Sequence, residues 1–409
     1  MINNPRFDHQ DLLEASYGSC VNSINCTHVL AIQDTTEFNY NTHIEKIKSK
    51  DNDLGPTSNY KIAGFFCHPV LTLNPKTSEI YGFLDVKIYN RDWDNPNRFE
   101  RNYKSLSIEE KESNRWIEST INSKNRLGNK NVKVTFVGDR ESDIYEEIAE
   151  VPNEMADILV RVRLNRRIVQ GKLYDYLDNS PTKGCCYIEV TGKNKRKKRT
   201  AKLEIKFEKV TIKAPKRYKG EKKIIDAYAI EVKEHSSTIP KDEEPIIWRL
   251  LTSHEVENLE QAIECVGWYK QRWLIEELFR VIKSKGFKIE ESQLSTGKGL
   301  KKLLAITLQV ALITMKLKLS LNNLEVKSES VFDQDELKCL ELINKKLEGE
   351  TEKQKNPYPK NTLANSAWIM ARLGGWSGYK SHGVPGYITI KTGYDRFVSY
   401  YQGYRIFLE

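Results

Sequence analysis

Paired cysteines, membrane-length apolar runs and repeats are all missing from this 409-residue chain. The seven cysteines (Cys20, Cys26, Cys67, Cys185, Cys186, Cys265 and Cys339) are odd in number and show no CxxC spacing. That argues against a disulfide framework or a zinc site and for a reducing compartment. No apolar run approaches the roughly 18 residues of a membrane span. The opening MINNPRFDHQ has no signal-peptide core, so a cytoplasmic protein with no membrane partner is expected. The lack of an internal repeat excludes solenoids and propellers. An acidic surplus is absent too: 65 Lys and Arg stand against 56 Asp and Glu, a net charge of +9. Such a mild surplus favours an anionic partner without demanding one, and an ordinary soluble basic protein would carry it as readily. The length suggests two or three domains.

What is present reads as alternating strands and helices. HVLAIQ (28–33) is a short apolar strand ending at Asp34, and β-rich stretches at about 61–73 and 79–89 complete a three-strand meander. SIEEKESNRWIESTINSKN has helical composition. VKVTFVGDRESDIYEEIAE runs from a strand into a helix through Asp139, and DILVRVRL (157–164) is a fifth strand. This order predicts an α/β core with a mixed sheet over 28–164. From 165 to 252 the chain turns β-rich, with basic stretches KNKRKKR and APKRYKGEKK between strands, as an insertion would. A long helix is expected to begin near Asn258, where NLEQ has capping-box character, and a second to cover 297–320. These two make up 253–322, and 323–409 is a further region, helical at 333–347 and aromatic in its tail.

Two constellations carry chemistry. On the long helix, YKQRWLIEELFRVIK places Tyr269, Arg272, Glu276 and Lys283 at offsets 0, 3, 7 and 14. At about 100° per residue these share a stripe roughly 60° wide. Trp273, Leu274, Ile275, Leu278, Phe279, Val281 and Ile282 are enough apolar surface to bury the rest of the helix. Arg272 and Lys283 could clamp phosphates and Tyr269 could donate or stack. An internal ladder with Arg272 paired to Glu276 at i,i+4 explains the stripe as well. The second constellation is Asp34, Asp139 and Glu276: carboxylates past the ends of neighbouring strands, joined by one from a packed helix, form a cage for hard cations. Two Mg²⁺ ions about 4 Å apart there would activate a water or a 3′-hydroxyl and stabilise the leaving oxygen of a phosphodiester. Taken singly, each Asp is an ordinary turn or helix cap.

The spacing Y-x2-R-x3-E-x6-K, with DTT upstream and GDRESDIY between, resembles the DDE transposases of the IS-four insertion-sequence family, and within it the transposon-five branch of cut-and-paste enzymes. NNPRFDHQDLLEA, LAIQDTTEFNY, EEKESNRWIEST, WRLLTSHEVENLEQA and ARLGGW extend the resemblance, in order, through nearly the whole chain. It implies an RNase H-like catalytic core interrupted by a β insertion and followed by an α-helical dimerisation region at 323–409. It implies Asp34, Asp139 and Glu276 as the catalytic, metal-binding triad, holding two Mg²⁺ for which Mn²⁺ may substitute. Tyr269, Arg272 and Lys283 then match the motif that grips DNA phosphates. Arg161 and Arg163 match basic DNA-contacting positions, although alternating Arg on a strand also suits a structural salt-bridge face. Trp248 matches a tryptophan that stacks a flipped base, with a core indole as the plain alternative. The partners implied are transposon-end and target DNA and a second copy of the chain. Residues 1–27 resemble only the last part of the family's end-recognition domain. That raises two expectations: a transposase that nicks, forms a hairpin, resolves it and joins DNA, or a short form that dimerises with a full-length transposase and inhibits it.

Overall fold

The computed structural model describes residues 2, 4–40, 51–94, 106–128, 130–190 and 198–406. Most of the basic run expected between insertion strands, 193–197, lies outside the described residues.

Helix α1 (His9–Ser23) precedes strands β1 (His28–Gln33), β2 (Ala63–Leu73) and β3 (Ile80–Tyr89). Then come α2 (Asn114–Leu127), β4 (Lys133–Gly138), α3 (Tyr145–Glu150) and β5 (Ala156–Arg161). Each apolar run forms a strand because it is buried on both faces. Val29 and Ala31 of β1 enter one core cluster while Leu30 and Ile32 enter another, the period-2 pattern of a sheet covered on both sides. The sheet order β3–β2–β1–β4–β5, antiparallel across the meander and parallel from β1 through β5, is that of an RNase H-like core.

After α4 (Leu173–Asn179), the strands of the expected insertion, β6 (Gly184–Val190), β7 (Arg199–Lys213), β8 (Ile224–Glu234) and β9 (Ile247–Thr252), continue the same sheet, because β9 pairs antiparallel with β5. β8 then pairs with β9, and β7 with β8 and β6. Four short segments bring the sheet to 13 strands among the described residues. In β7 the buried side changes along the strand: Ala201, Leu203, Ile205 and Phe207 face one cluster, whereas Val210 and Ile212 face the other. The register with β8 runs without a break, so the change reflects helices covering opposite faces at the strand's two ends.

The expected long helix is instead two helices, α5 (Leu259–Gln271) and α6 (Trp273–Lys283), meeting at Arg272. The Asn258–Gln261 capping box starts α5. At the junction the hydrogen bonds tighten to i→i+3, Arg272 N–H to Tyr269 C=O at 3.1 Å and Ile275 N–H to Arg272 C=O at 3.2 Å, a 3₁₀ turn of the kind found at hinges and strained sites. One exposure differs from expectation: Trp273 is 51% exposed rather than part of the buried face. Likewise α2 begins only at Asn114, since the segment before it is held in turns such as Lys111 N–H to Ile108 C=O.

Helix α7 (Gly297–Ser320) is, by length and composition, apolar enough to cross a membrane, which scanning for uninterrupted apolar runs did not reveal because Lys301, Lys302, Lys316 and Lys318 punctuate it. In this fold it is a core helix, with Leu300, Leu304, Ala305, Leu308, Ala311 and Met315 fully buried. Helices α8 (Gln334–Leu347), α9 (Leu363–Leu373) and α10 (Tyr387–Ile406) form a separate cluster around Trp368 and Phe397. There α10 crosses α9 so closely that a Cβ on Gly393 would stand 1.7 Å from the Met370 carbonyl oxygen.

At the starting ends of β1 and β4, His28 Nε2 and His254 Nε2 both meet Thr135 Oγ1, at 2.8 and 2.7 Å. Asp157 lies 3.4 Å from His254 Nδ1 and 2.7 Å from Lys133. Burial, then His254 and Lys133 against a weaker pull from Asp157, pushes His28 down to about 4. His254 is also pushed down to about 4, by burial ahead of the opposing Asp157. The unfolded chain takes up protons below about 6.5 that the folded chain refuses until about 4. Stability present above pH 6.5 is therefore lost as pH falls through that window. A thermal-denaturation series should show Tm falling between pH 6.5 and 4, with a shallower slope in a His28→Asn/His254→Gln double variant. An unchanged slope would assign the acid sensitivity elsewhere.

Candidate active site

The parallel register of β1 and β4 pairs Ile32 with Val137. Asp34 and Asp139 each lie two residues further on, so the same register brings them side by side where the ladder ends. Gly138 lets the chain turn sharply there: a Cβ would stand 2.3 Å from the Ser142 side chain. Asp139 then caps the short turn Arg140–Ser142, accepting the Glu141 N–H at 2.7 Å. Asp34 accepts the N–H of Thr35 at 2.8 Å.

Glu276 reaches the same place from α6, whose Ile275, Leu278, Val281 and Ile282 are fully buried against the face bearing Leu30 and Ile32. Arg272, at the break between α5 and α6, joins the parts: it contacts Asp34 Oδ2 at 3.0 Å and also pairs with Glu276. The i,i+4 pair foreseen as a plain explanation is thus present, but the same guanidinium also reaches a strand 238 residues away. Burial pushes the Asp34 carboxyl up to about 7, and the neighbouring Asp139 and Glu276 add to that, against the lowering effect of Arg272 and the Thr35 N–H. Asp34 thus feels both of the other carboxylates, and Arg272 pairs with two of the three.

The remaining predicted residues divide. Tyr269 is buried and lies within hydrogen-bonding reach of Arg161 and Arg272. Trp248, half-buried on β9, packs edge-on against Tyr269 with ring centroids 5.6 Å apart. Arg161 donates to the Ile247 carbonyl at 3.2 Å. These three extend the site from Arg272 toward β9. Arg163 does not share a strand with Arg161 as expected: β5 ends at Arg161, and the buried Asp143 carboxylate takes the N–H groups of Arg163 and Leu164 at 2.8 and 3.0 Å, turning the chain away. Its side chain is exposed. Lys283 points elsewhere along the stripe, donating to the Glu37 carbonyl and lying 5.1 Å from the Phe38 ring, 4.0 Å from Glu290. The 3₁₀ turn at Arg272 separates it from the simple 100° geometry.

Beneath the carboxylates runs a network that the sequence reading did not single out. Arg115 Nε donates to Thr35 Oγ1 at 2.8 Å, and its Nη2 meets Glu141 at 2.7 Å. Thr35 Oγ1 is 2.8 Å from His68 Nδ1, and His68 Nε2 is 3.2 Å from Gln33 Oε1. Gln33 Nε2 donates to Thr120 Oγ1 at 2.9 Å, which donates to the Trp116 carbonyl at 2.8 Å. His68 is fully buried, and burial holds it well below the usual imidazole range, so it is neutral. With the proton on Nε2, a tautomer assigned from the network, every donor in the chain points one way. The available signal was the buried polar stripe of α2, Arg115, Ser119, Thr120 and Ser123, at helical spacing.

Among the described residues no three His, Cys, Asp or Glu side chains stand close enough to form a ready ion cage. The physical reason is at hand: the Arg272 guanidinium lies between Asp34 and Glu276. The donor set still suits a hard divalent cation, being all carboxylate, with the Asp34 carboxyl pushed up to about 7 by burial first and by Asp139 next. Compared with known families, residues 112–313 match the one described as transposase DDE domain. The match takes in Asp139 and Glu276, while Asp34 precedes it.

Proposed function

We propose that this chain, whose residues 112–313 match the family described as transposase DDE domain, is a cut-and-paste DNA transposase of the IS-four type, nearest the transposon-five branch. The observation that carries the reading is that the parallel register sets Asp34 and Asp139 side by side past the ends of β1 and β4, where Arg272 bonds both Asp34 and Glu276. Divalent metals are general to DDE transposases; here Asp34, Asp139 and Glu276 would hold them, and Mg²⁺ is proposed, with Mn²⁺ as a substitute. When bound, such ions activate the attacking water or 3′-hydroxyl and stabilise the leaving oxygen.

The chain's own residues position the DNA. Arg272 presents a planar guanidinium able to take two phosphate oxygens once DNA competes for it. Tyr269 orients Arg272 and carries Trp248 on its ring edge. Arg161 lines the same side, while Lys283 and Arg163 would grip the backbone further from the cut. The exposed apolar side chains of α10, Ile388 and Tyr400 among them, support 323–409 as a homodimer surface for pairing two ends. We place the protein with its DNA in the cytoplasm.

The test is strand cleavage of labelled DNA bearing the element's own ends. Cleavage with Mg²⁺ or Mn²⁺, abolished by chelator, is expected. Binding without cleavage under either metal would favour a non-catalytic, inhibitory partner instead.

A further inference from the structure

Hydrogen bonds of the sheet fix Asp34 and Asp139 only indirectly, because both stand beyond the last paired residues of β1 and β4. Something else must set the distance between the two turns that carry them. Arg115, in the first turn of α2, does so directly: its Nε–H holds Thr35, the residue after Asp34, and its Nη2 holds Glu141, two residues after Asp139. A third bond, Nη1 to the Glu112 carbonyl at 2.9 Å, anchors the guanidinium to the turn that precedes α2. Its side chain is 9% exposed, so the planar fork is held by packing as well. Thr35 is in turn fixed from behind by neutral His68 and Gln33.

We infer that Arg115 is a positioning residue for the cleavage reaction, bridging Thr35 and Glu141 and so holding together the two turns that present Asp34 and Asp139 to a divalent cation. The inference rests on the proposed role of the three carboxylates. Arg115 touches neither Asp34 nor Asp139; it acts through their chain neighbours. Lysine cannot replace it, since a single ammonium on a flexible stem cannot present two donor nitrogens in a fixed plane. Residues that orient metal ligands typically govern affinity by roughly tenfold to a hundredfold, and Mg²⁺ is the more demanding ion because it insists on near-ideal octahedral geometry.

Mn²⁺ binding measured by electron paramagnetic resonance, together with Tm, tests this apart from activity. Arg115→Ala and Glu141→Gln should each weaken Mn²⁺ binding by roughly tenfold or more, and the double variant should be no weaker than the worse single, because both break one bridge. Arg115→Lys should behave like Arg115→Ala. Additive losses would make Glu141 an independent ligand and overturn the bridge; unchanged binding in a folded Arg115→Ala protein would overturn it too. Should Arg115→Ala fail to fold, the Thr35→Val/Glu141→Gln cycle decides in the same terms, since Glu141 is 59% exposed and Thr35→Val keeps its shape. Asp34→Ala is the control: if it leaves Mn²⁺ binding intact, the carboxylate reading itself has failed, whatever Arg115 does.

Discussion

Asp34→Ala, Asp139→Ala and Glu276→Ala are each expected to reduce metal-dependent strand cleavage by roughly a thousandfold or more while leaving the protein folded. Lewis-acid stabilisation by a bound ion is worth several kcal/mol of transition-state energy, and each 1.36 kcal/mol is a factor of about ten in rate. Losing one ligand of three therefore removes most of the catalysis. The fold should survive because none of the three is a core residue. Asp34 and Glu276 are 19% and 31% exposed at the side chain, and Asp139 caps only a single short turn. Arg272 keeps Glu276 as a partner in Asp34→Ala and Asp34 in Glu276→Ala, so neither change leaves it unpaired. Near-wild-type cleavage by any one folded variant would remove that residue from the site.

Trp248→Ala should slow hairpin formation by roughly tenfold to a hundredfold and spare the first nick. For a hairpin, the 3′-hydroxyl must reach the opposite strand, which becomes easier once a base has left the stack. An indole that receives the flipped base recovers about 1 to 3 kcal/mol of the unstacking cost, which corresponds to that rate factor. The location suits such a role: Trp248 is half-buried, its ring meets Tyr269 edge-on, and Tyr269 adjoins Arg272 and hence Asp34. The edge contact holds the indole in orientation while its partial exposure leaves surface to stack on. Nick and hairpin products are separated on a denaturing gel using labelled element-end DNA. Equal loss of both would mean a folding defect and a core tryptophan, and no loss of either would mean that Trp248 receives no base.

Legibility followed the length scale of the physics. Strands such as β1 and β4 could be read because a sheet covered on both faces requires continuous apolar runs, and the order of elements then left an α/β core with few alternatives. The capping box at Asn258 was visible for the same local reason. The division of α5 from α6 was not, because YKQRWLIEE holds no breaker residue and the 3₁₀ turn falls where Arg272 bonds Asp34, distant in sequence. The departure of Arg163 from β5 depends on a buried carboxylate twenty residues earlier, Asp143. Helix α1 left little periodic signal of its own: only Leu13, Tyr17 and Cys20 are buried along its 15 residues. The Arg115 network escaped notice because an arginine in a helix of polar composition looks solvated until the fold shows what covers it.

The most direct test of the central claim is a Mn²⁺ titration of the wild-type chain bound to element-end DNA, followed by electron paramagnetic resonance and repeated on Asp139→Ala. The account predicts two exchange-coupled ions per subunit in the wild type, as expected for metals about 4 Å apart, and at most one, uncoupled, in the variant. Identical occupancy in both proteins, or a wild type that binds no Mn²⁺ at saturation, would contradict it.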